Sequence, residues 1–144
     1  MRVDGVLQGK GSEVATIGPE QTLLSAVAEL GRRRIGALVV VTADGSVAGI
    51  LSERDIVAAI SRDGAAVLER AVRDVMTTNV ITCSPTDTME QLMSAMTEQH
   101  IRHLPVIRDG ALVGIVSIGD VVKRRVAEIQ DEATALGDYI THGR

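Results

Sequence analysis

Nine residues of this chain are written twice. Gly49-Ile50-Leu51-Ser52-Glu53-Arg54-Asp55-Ile56-Val57 returns 65 positions later as Gly114-Ile115-Val116-Ser117-Ile118-Gly119-Asp120-Val121-Val122. The duplication extends upstream. With an offset of 66 from Val14 to Val40 and 65 from Thr42 to Val57, 43 positions pair and 14 are identical, with Val41 as the one extra residue. Common residues each run near 7% of a sequence, so about three matches are expected by chance. A unit of this size cannot bury a sheet alone, whereas two copies stacked face to face can. The chain is therefore committed to a paired architecture before any element is assigned.

Each copy reads β-α-β-β-α. In the first, Val14-Ala15-Thr16-Ile17 is a short strand broken by Gly18-Pro19. Thr22 caps a helix carrying Leu23, Val27 and Leu30 at helical spacing, and Gly31 with the following arginines ends it. Leu38 to Val41 is β-branched and apolar, a buried strand; Asp44-Gly45 is a hairpin turn; Val47 to Leu51 returns, and Ser52 opens the next helix. The second copy repeats this with a strand at Val80-Ile81-Thr82, a break at Pro85 and a cap at Thr88. Its helix buries Met89, Leu92, Met93 and Met96; strands follow at Leu104 to Ile107 and Leu112 to Val116 around Asp109-Gly110, and Ser117 starts the last helix. The organisation expected is a lead-in at 1–12, repeat one at 13–62, a connection at 63–79 with a helical piece around Val67 to Val72, repeat two at 80–128, and a helix end and tail at 129–144. The fold class is α/β, two repeats packed with pseudo-twofold symmetry and an extended C-terminal helix.

Composition narrows the function. There is no Trp, no Phe and a single Tyr, Tyr139. The core must be aliphatic, and a planar ligand would lie between aliphatic side chains. A net charge of −4 argues against a general nucleic-acid partner. The basic triplets Arg32-Arg33-Arg34 and Lys123-Arg124-Arg125 read as solvated faces. Cys83 is the sole cysteine, so no internal disulfide forms, which fits a reducing compartment. The N-terminus has no apolar signal region and no run is long enough to span a bilayer, so the expectation is a cytoplasmic protein without a membrane partner.

The repeated Ser-x-x-Asp has two physical readings. It is close to a capping box, in which the hydroxyl and the acid satisfy the free N–H groups of a helix start. A helix N-terminus is also an anion site, and an Asp beside it can hold a sugar hydroxyl. His100 and His142 have no Cys, His or acid at ligand spacing, so no metal site is expected. No Ser/His/Asp order or paired-acid pattern points to catalysis.

The β-α-β-β-α unit, the strand–Thr–Pro opening, the Asp-Gly hairpin and the closing Gly-Ile-x-Ser-x-x-Asp resemble a pair of cystathionine β-synthase (CBS) domains, the Bateman module. The resemblance covers roughly residues 10 to 128 and is strongest to the small stand-alone bacterial type. It implies a non-enzymatic regulatory sensor that binds AMP, ADP, ATP, NAD(H) or S-adenosylmethionine between the repeats. It also implies a homodimer acting on an effector protein, with no catalytic cofactor. Carried over by position, Asp55 and Asp120 would hold ribose hydroxyls, and Ser52, Ser117, Thr16 and Thr82 would meet phosphate or ribose. Ile17, Ile81, Gly36-Ala37-Leu38 and His103-Leu104-Pro105 would line the adenine, with Met76 able to touch it. Lys10, Arg54, Arg102 and His103 are the candidates for phosphate contacts. The copies differ here, since Arg54 stands opposite Gly119 and Gly36-Ala37 opposite Arg102-His103, so the two clefts are chemically unequal.

Two other functions fit the same residues. One is a ligand-free dimerisation module whose Ser-x-x-Asp boxes only cap helices. The other is an enzyme acting on a bound nucleotide, with His103 as its base. In the last helix Val122, Val126, Ile129, Ala133 and Leu136 form an a/d seam of two heptads, which suits packing on its own module or on a partner chain. The tail, Gly137 to Arg144, is left as either a cover over a cleft or a disordered end.

Overall fold

The computed structural model describes residues 1–11 and 13–142, the last two by their backbone alone. In chain order the elements are α1 (Val3–Lys10), β1 (Thr16–Ile17), α2 (Leu23–Arg33), β2 (Ala37–Val41), β3 (Val47–Ser52) and α3 (Glu53–Asp63). After two 3-10 turns (Ala65–Glu69 and Val72–Asp74) come α4 (Met89–Gln99), β4 (His103–Arg108), β5 (Ala111–Ser117) and α5 (Ile118–His142). The expected two-repeat α/β architecture is present, with one sheet ordered β1-β2-β3 and a second made of β4-β5. Each hairpin has a bulge, between Val40 and Val41 in the first and between Val106 and Ile107 in the second. Val41 is thus matched by Ile107, and the extra residue of the first copy lies in the turn beyond it, not at Val41.

The helix starts follow the sequence. Thr22 accepts from the Ser25 amide, and Thr88 forms a reciprocal box with Gln91. The end of α2 falls at the expected arginines, although Gly31 lies inside the helix; Arg34 and His100 close α2 and α4 in the left-handed region, each with φ of 54°.

The first strands are shorter than expected. β1 is only two residues, and Val80-Ile81-Thr82 is no strand at all; Cys83 alone bridges Val106 in parallel. The reason is chemical. In the first sheet the Val39 amide donates to the Ala15 carbonyl at 3.1 Å. The counterpart of Val39 is Pro105, which has no N–H to offer Ile81. Pairing is confined to Cys83, whose amide donates to the Pro105 carbonyl and whose carbonyl accepts from the Ile107 amide, both at 2.9 Å.

Each repeat has its own aliphatic core. Leu23, Leu38, Leu51, Val67 and Val72 are fully buried in the first; Val3, Leu92, Leu104, Val106 and Val116 lie at or near full burial in the second. Each such side chain contributes roughly 1.5–3 kcal/mol. The lead-in is part of this. Val3 and Val6 of α1 complete the second core, docked by Val3 N–H to Asp87 O and Asp4 N–H to Pro85 O, both 2.9 Å. The same bonds recur in the first repeat, where Val72 N–H donates to Gln21 O at 2.7 Å and Arg73 N–H to Pro19 O at 3.0 Å. Met1–Lys10 therefore serves repeat two as Arg70–Asn79 serves repeat one. The sequence holds the signal: Val3-x-x-Val6-Leu7 matches Val72-x-x-Val75-Met76. Because the segment lies far upstream of the repeat it serves, an alignment of the two copies passes over it.

α5 is 25 residues long, about 37 Å at 1.5 Å per residue. Val121 is buried, but Val126, Ile129, Leu136 and Ile140 are 47–61% exposed, so this stripe is not packed on its own module. The helix takes in most of the expected tail; residues 143 and 144 lie outside the described residues, as does Ser12 of the lead-in.

Candidate ligand-binding cleft

Both Ser-x-x-Asp boxes are formed. In the first, the Asp55 amide donates to Ser52 Oγ at 3.2 Å, and Asp55 Oδ2 accepts from the Ser52 amide at 2.9 Å and hydroxyl at 3.1 Å. In the second, Asp120 and Ser117 make the same three bonds at 3.2, 2.8 and 3.0 Å. In the first box the two carboxylate oxygens have different surroundings. Capping uses Oδ2 of Asp55, while Oδ1 has the Thr77 hydroxyl at 3.4 Å, a long contact.

That carboxylate faces a cavity of about 350 Å³ between the repeats, within the range of small-molecule sites. From the first repeat come Gly36, Ile50, Ser52, Glu53, Arg54 and Asp55. The crossing segment supplies Thr77, Asn79, Val80 and Ile81, and the second repeat Gln99 to His103. The crossing is held by Thr77, whose backbone exchanges two hydrogen bonds with Ile50 at 3.0 and 2.9 Å. Gly49 makes this approach possible: a Cβ there would sit 2.7 Å from the Thr77 carbonyl oxygen. The two repeats meet at Gly36, where a Cβ would lie 3.4 Å from both the His103 ring and Glu53 Oε1. Charge of both signs converges here. Arg54, Arg102, Glu53 and Asp55 all line it, with Ile50, Val80, Ile81 and Ile101 as its aliphatic part.

Of the residues singled out from the sequence, Gly36, Ser52, Arg54, Asp55, Ile81, Arg102 and His103 line this cavity. Ile17, Leu38 and Leu104 are core residues, Ala37 and Pro105 are buried in the strands, and half-buried Met76 packs on the first core. Thr16 and Thr82 are exposed outside it. Ser117, Asp120 and Lys10 form a separate cluster, with Lys10 Nζ 2.6 Å from Asp120 Oδ2. Glu53, Thr77, Asn79, Gln99 and His100 were not anticipated. Thr77 and Asn79 belong to the crossing that replaces a strand, and His100 is the left-handed helix end.

Burial pushes the His103 imidazole below its ordinary pKa of 6.5, with Lys10 and Arg102 adding to this against Glu53 and Asp120. It makes no hydrogen bond to an acid among the described residues. The unfolded chain therefore takes up this proton first as pH falls. The stability this group contributes is complete above pH 6.5 and is lost as pH drops from there toward the folded value. Urea midpoints at pH 7.5 and 5.5 are expected to fall further in wild type than in His103→Gln; equal falls would contradict this. Among the described residues no three His, Cys, Asp or Glu side chains cluster as a metal site. No described helix is long and apolar enough to cross a membrane.

Comparison with known proteins gives a consistent result. The CBS domain family profile matches residues 11–62 and again 72–127. A mitochondrial CBS domain-containing protein of Arabidopsis thaliana is 38% identical over 128 residues, covering 86% of this chain and 62% of that protein, so the chain spans under two thirds of that relative's length. A Bacillus subtilis CBS domain-containing protein is 33% identical over 119 residues, 81% of each. The crystal structure of an Agrobacterium tumefaciens CBS-domain containing protein superposes with a TM-score of 0.85 at 46% identity, covering 87% of this chain and 99% of that one. A Pyrobaculum aerophilum CBS domain protein complexed with AMP gives 0.74 at 26% identity, covering 83% and 89%.

Proposed function

The chain belongs to the CBS domain family as a tandem pair, and from that premise we propose that it is a non-enzymatic sensor holding one adenosine nucleotide in the cleft at Asp55. The observation that carries this is the unfilled coordination of Asp55 beside Arg54, Arg102 and an aliphatic wall. Asp55 Oδ1 accepts from ribose hydroxyls, since its partner oxygen is already committed to the cap. Arg54 and Arg102 meet the phosphate. Ile50, Val80 and Ile81 hold the base, as a chain without Trp or Phe requires. A cavity of about 350 Å³ suits a mononucleotide such as AMP better than a dinucleotide, and the AMP-bound relative supports that ligand class.

Binding orders both repeats around Gly36 and His103, and a partner protein reads the change. Such a shift requires a ligand that prefers one of two states. The working unit is a homodimer. Leu24, Val27, Val57, Met93 and Val122 are exposed apolar residues on the helices, with Val27/Met93 and Val57/Val122 as repeat counterparts, and they are the apolar surface a second copy would cover.

The test is the melting temperature against AMP, ADP, ATP, NAD, NADH and S-adenosylmethionine, read by circular dichroism. A ligand at 100 times its dissociation constant adds about 2.7 kcal/mol, on the order of 5–10 °C for a chain this size. AMP is expected to give that shift in wild type and Asp120→Asn, and none in Asp55→Asn. No shift with any compound at millimolar concentration would leave two helix caps and a dimerisation module. Sedimentation of the same samples reads the dimer, and a monomer at tens of micromolar removes that part. Turnover of a bound nucleotide, absent in His103→Ala, would instead make the protein an enzyme.

A further inference from the structure

The second Ser-x-x-Asp box sits in a different setting from the first. In repeat one the Val75 and Met76 amides make the last helical-turn bonds, to the Val72 carbonyl at 3.1 and 2.9 Å, and the chain then leaves the turn at Thr77, which pairs with both backbone groups of Ile50. In repeat two the equivalent segment stays helical through Lys10, so its backbone groups are used within the helix. Leu7 takes the place of Met76: a Cβ on Gly114 would meet Leu7 Cδ2 at 2.7 Å, as one on Gly49 would meet Met76 Sδ at 2.8 Å. Among the described residues Ile115 has no backbone partner of the kind that Thr77 gives to Ile50, and a side chain stands in for it. Lys10 Nζ donates to the Ile115 carbonyl at 3.0 Å and to Asp120 Oδ2 at 2.6 Å.

Lys10 is well placed for this. It lies in the last turn of α1, where a cation suits the helix dipole. Its side chain and that of Asp120 are 32% and 20% exposed, so the pair is partly withdrawn from solvent. Burial pushes the Asp120 carboxyl up, yet the Lys10 bond and the Ser117 amide outweigh it and hold the group below its ordinary range.

We propose that Lys10 is a tethered cover of the second cleft, neutralising the Asp120 carboxylate that corresponds to Asp55 and holding the Ile115 carbonyl that corresponds to the Thr77-bonded carbonyl of Ile50, so that the chain binds one adenosine ligand and not two. The count of ligands rests on the adenosine reading of the first cleft; the closure by Lys10 does not. The alternative role for this residue, a phosphate contact, predicts the opposite effect of removing it.

Calorimetric titration with AMP separates them. Wild type is expected to bind one equivalent per chain, Lys10→Ala two, and Lys10→Ala with Asp120→Asn one again. A single equivalent in Lys10→Ala, two in wild type, or weaker binding without a second site overturns the proposal. A second measurement needs no nucleotide. Cys83 is buried, with its thiol pushed up to about 12 by burial and by Asp87, so it is silent to thiol reagents at neutral pH. In Ile115→Cys the new thiol is expected to react at least tenfold faster once Lys10→Ala is added. Equal rates overturn the closure. If AMP binds no variant, the nucleotide reading falls and the labelling rates alone decide the role of Lys10.

Discussion

Val3→Asp is expected to lower the thermal midpoint by roughly 10 °C, more than a change so near a chain end usually does. Val3 is fully buried among the residues that close the second core, together with Val6, Cys83 and Leu92. The substitution removes about 1.5–3 kcal/mol of aliphatic burial. It also places a carboxyl where no cation is available, adding a desolvation cost of about 1–3 kcal/mol. Gln8→Asp is the control, since Gln8 is exposed on the same helix and such changes fall within about 0.5 kcal/mol. Circular dichroism melts of the three proteins read the difference. A Val3→Asp protein that melts with wild type would mean that α1 is not docked in solution.

The second large effect is at Gly49. An added Cβ meets the Thr77 carbonyl oxygen at 2.7 Å and Met76 Sδ at 2.8 Å. The carbonyl is backbone, already paired with the Ile50 amide, and cannot step aside without breaking the crossing that walls the cleft. Gly49→Ala is therefore expected to cost about 2–3 kcal/mol, the upper part of the overpacking range. Its repeat counterpart provides the comparison. At Gly114 the obstruction is the end of the Leu7 side chain, at 2.7 Å, and a rotamer change relieves it, so Gly114→Ala is expected to cost under about 1.5 kcal/mol. Urea midpoints of the two variants check the order. Equal losses would show that the backbone contact is not the limiting one. Gly49→Ala should also weaken AMP binding, because Thr77 to Ile81 lose their anchor; Gly114→Ala should not.

Much of this was legible because duplication reports on itself. Residues held in both copies, such as Ser52 and Ser117 or Asp55 and Asp120, are those whose role does not depend on which repeat they occupy, namely caps and core. The features that distinguish one cleft from the other were harder to read, since they come from residues outside the paired stretch. Lys10 reads from the sequence as a candidate phosphate contact, but nothing in the sequence places it on Asp120, 110 positions away. Thr77 and Asn79 were assigned to a connection. The shortened strand at Val80 to Thr82 had a visible cause in Pro105, yet a β-branched run outweighs one proline until the pairing partner is known. At the end of α2 the arginines stop the helix as the sequence suggests, while Gly31, the usual stop signal, stays inside it and the left-handed cap falls on Arg34.

The docking of α1 has a consequence for how the protein is made. Val3 and Val6 leave the ribosome well before their partners, which include Leu104, Val116 and Val121. At about 5–20 residues per second, synthesis of the intervening chain takes roughly 5–25 s. Through that interval the first repeat can assemble with its own segment, Val72 to Met76, while the nascent chain upstream of it carries an apolar Val-x-x-Val-Leu stretch without its own core. That stretch matches the one the first repeat awaits, so the early chain can close on the wrong copy. Val3 lies 18 positions from Gln21 and Val72 lies 51, so loop closure does not favour the native pairing; what marks the correct segment is Thr77, whose backbone pairs with Ile50.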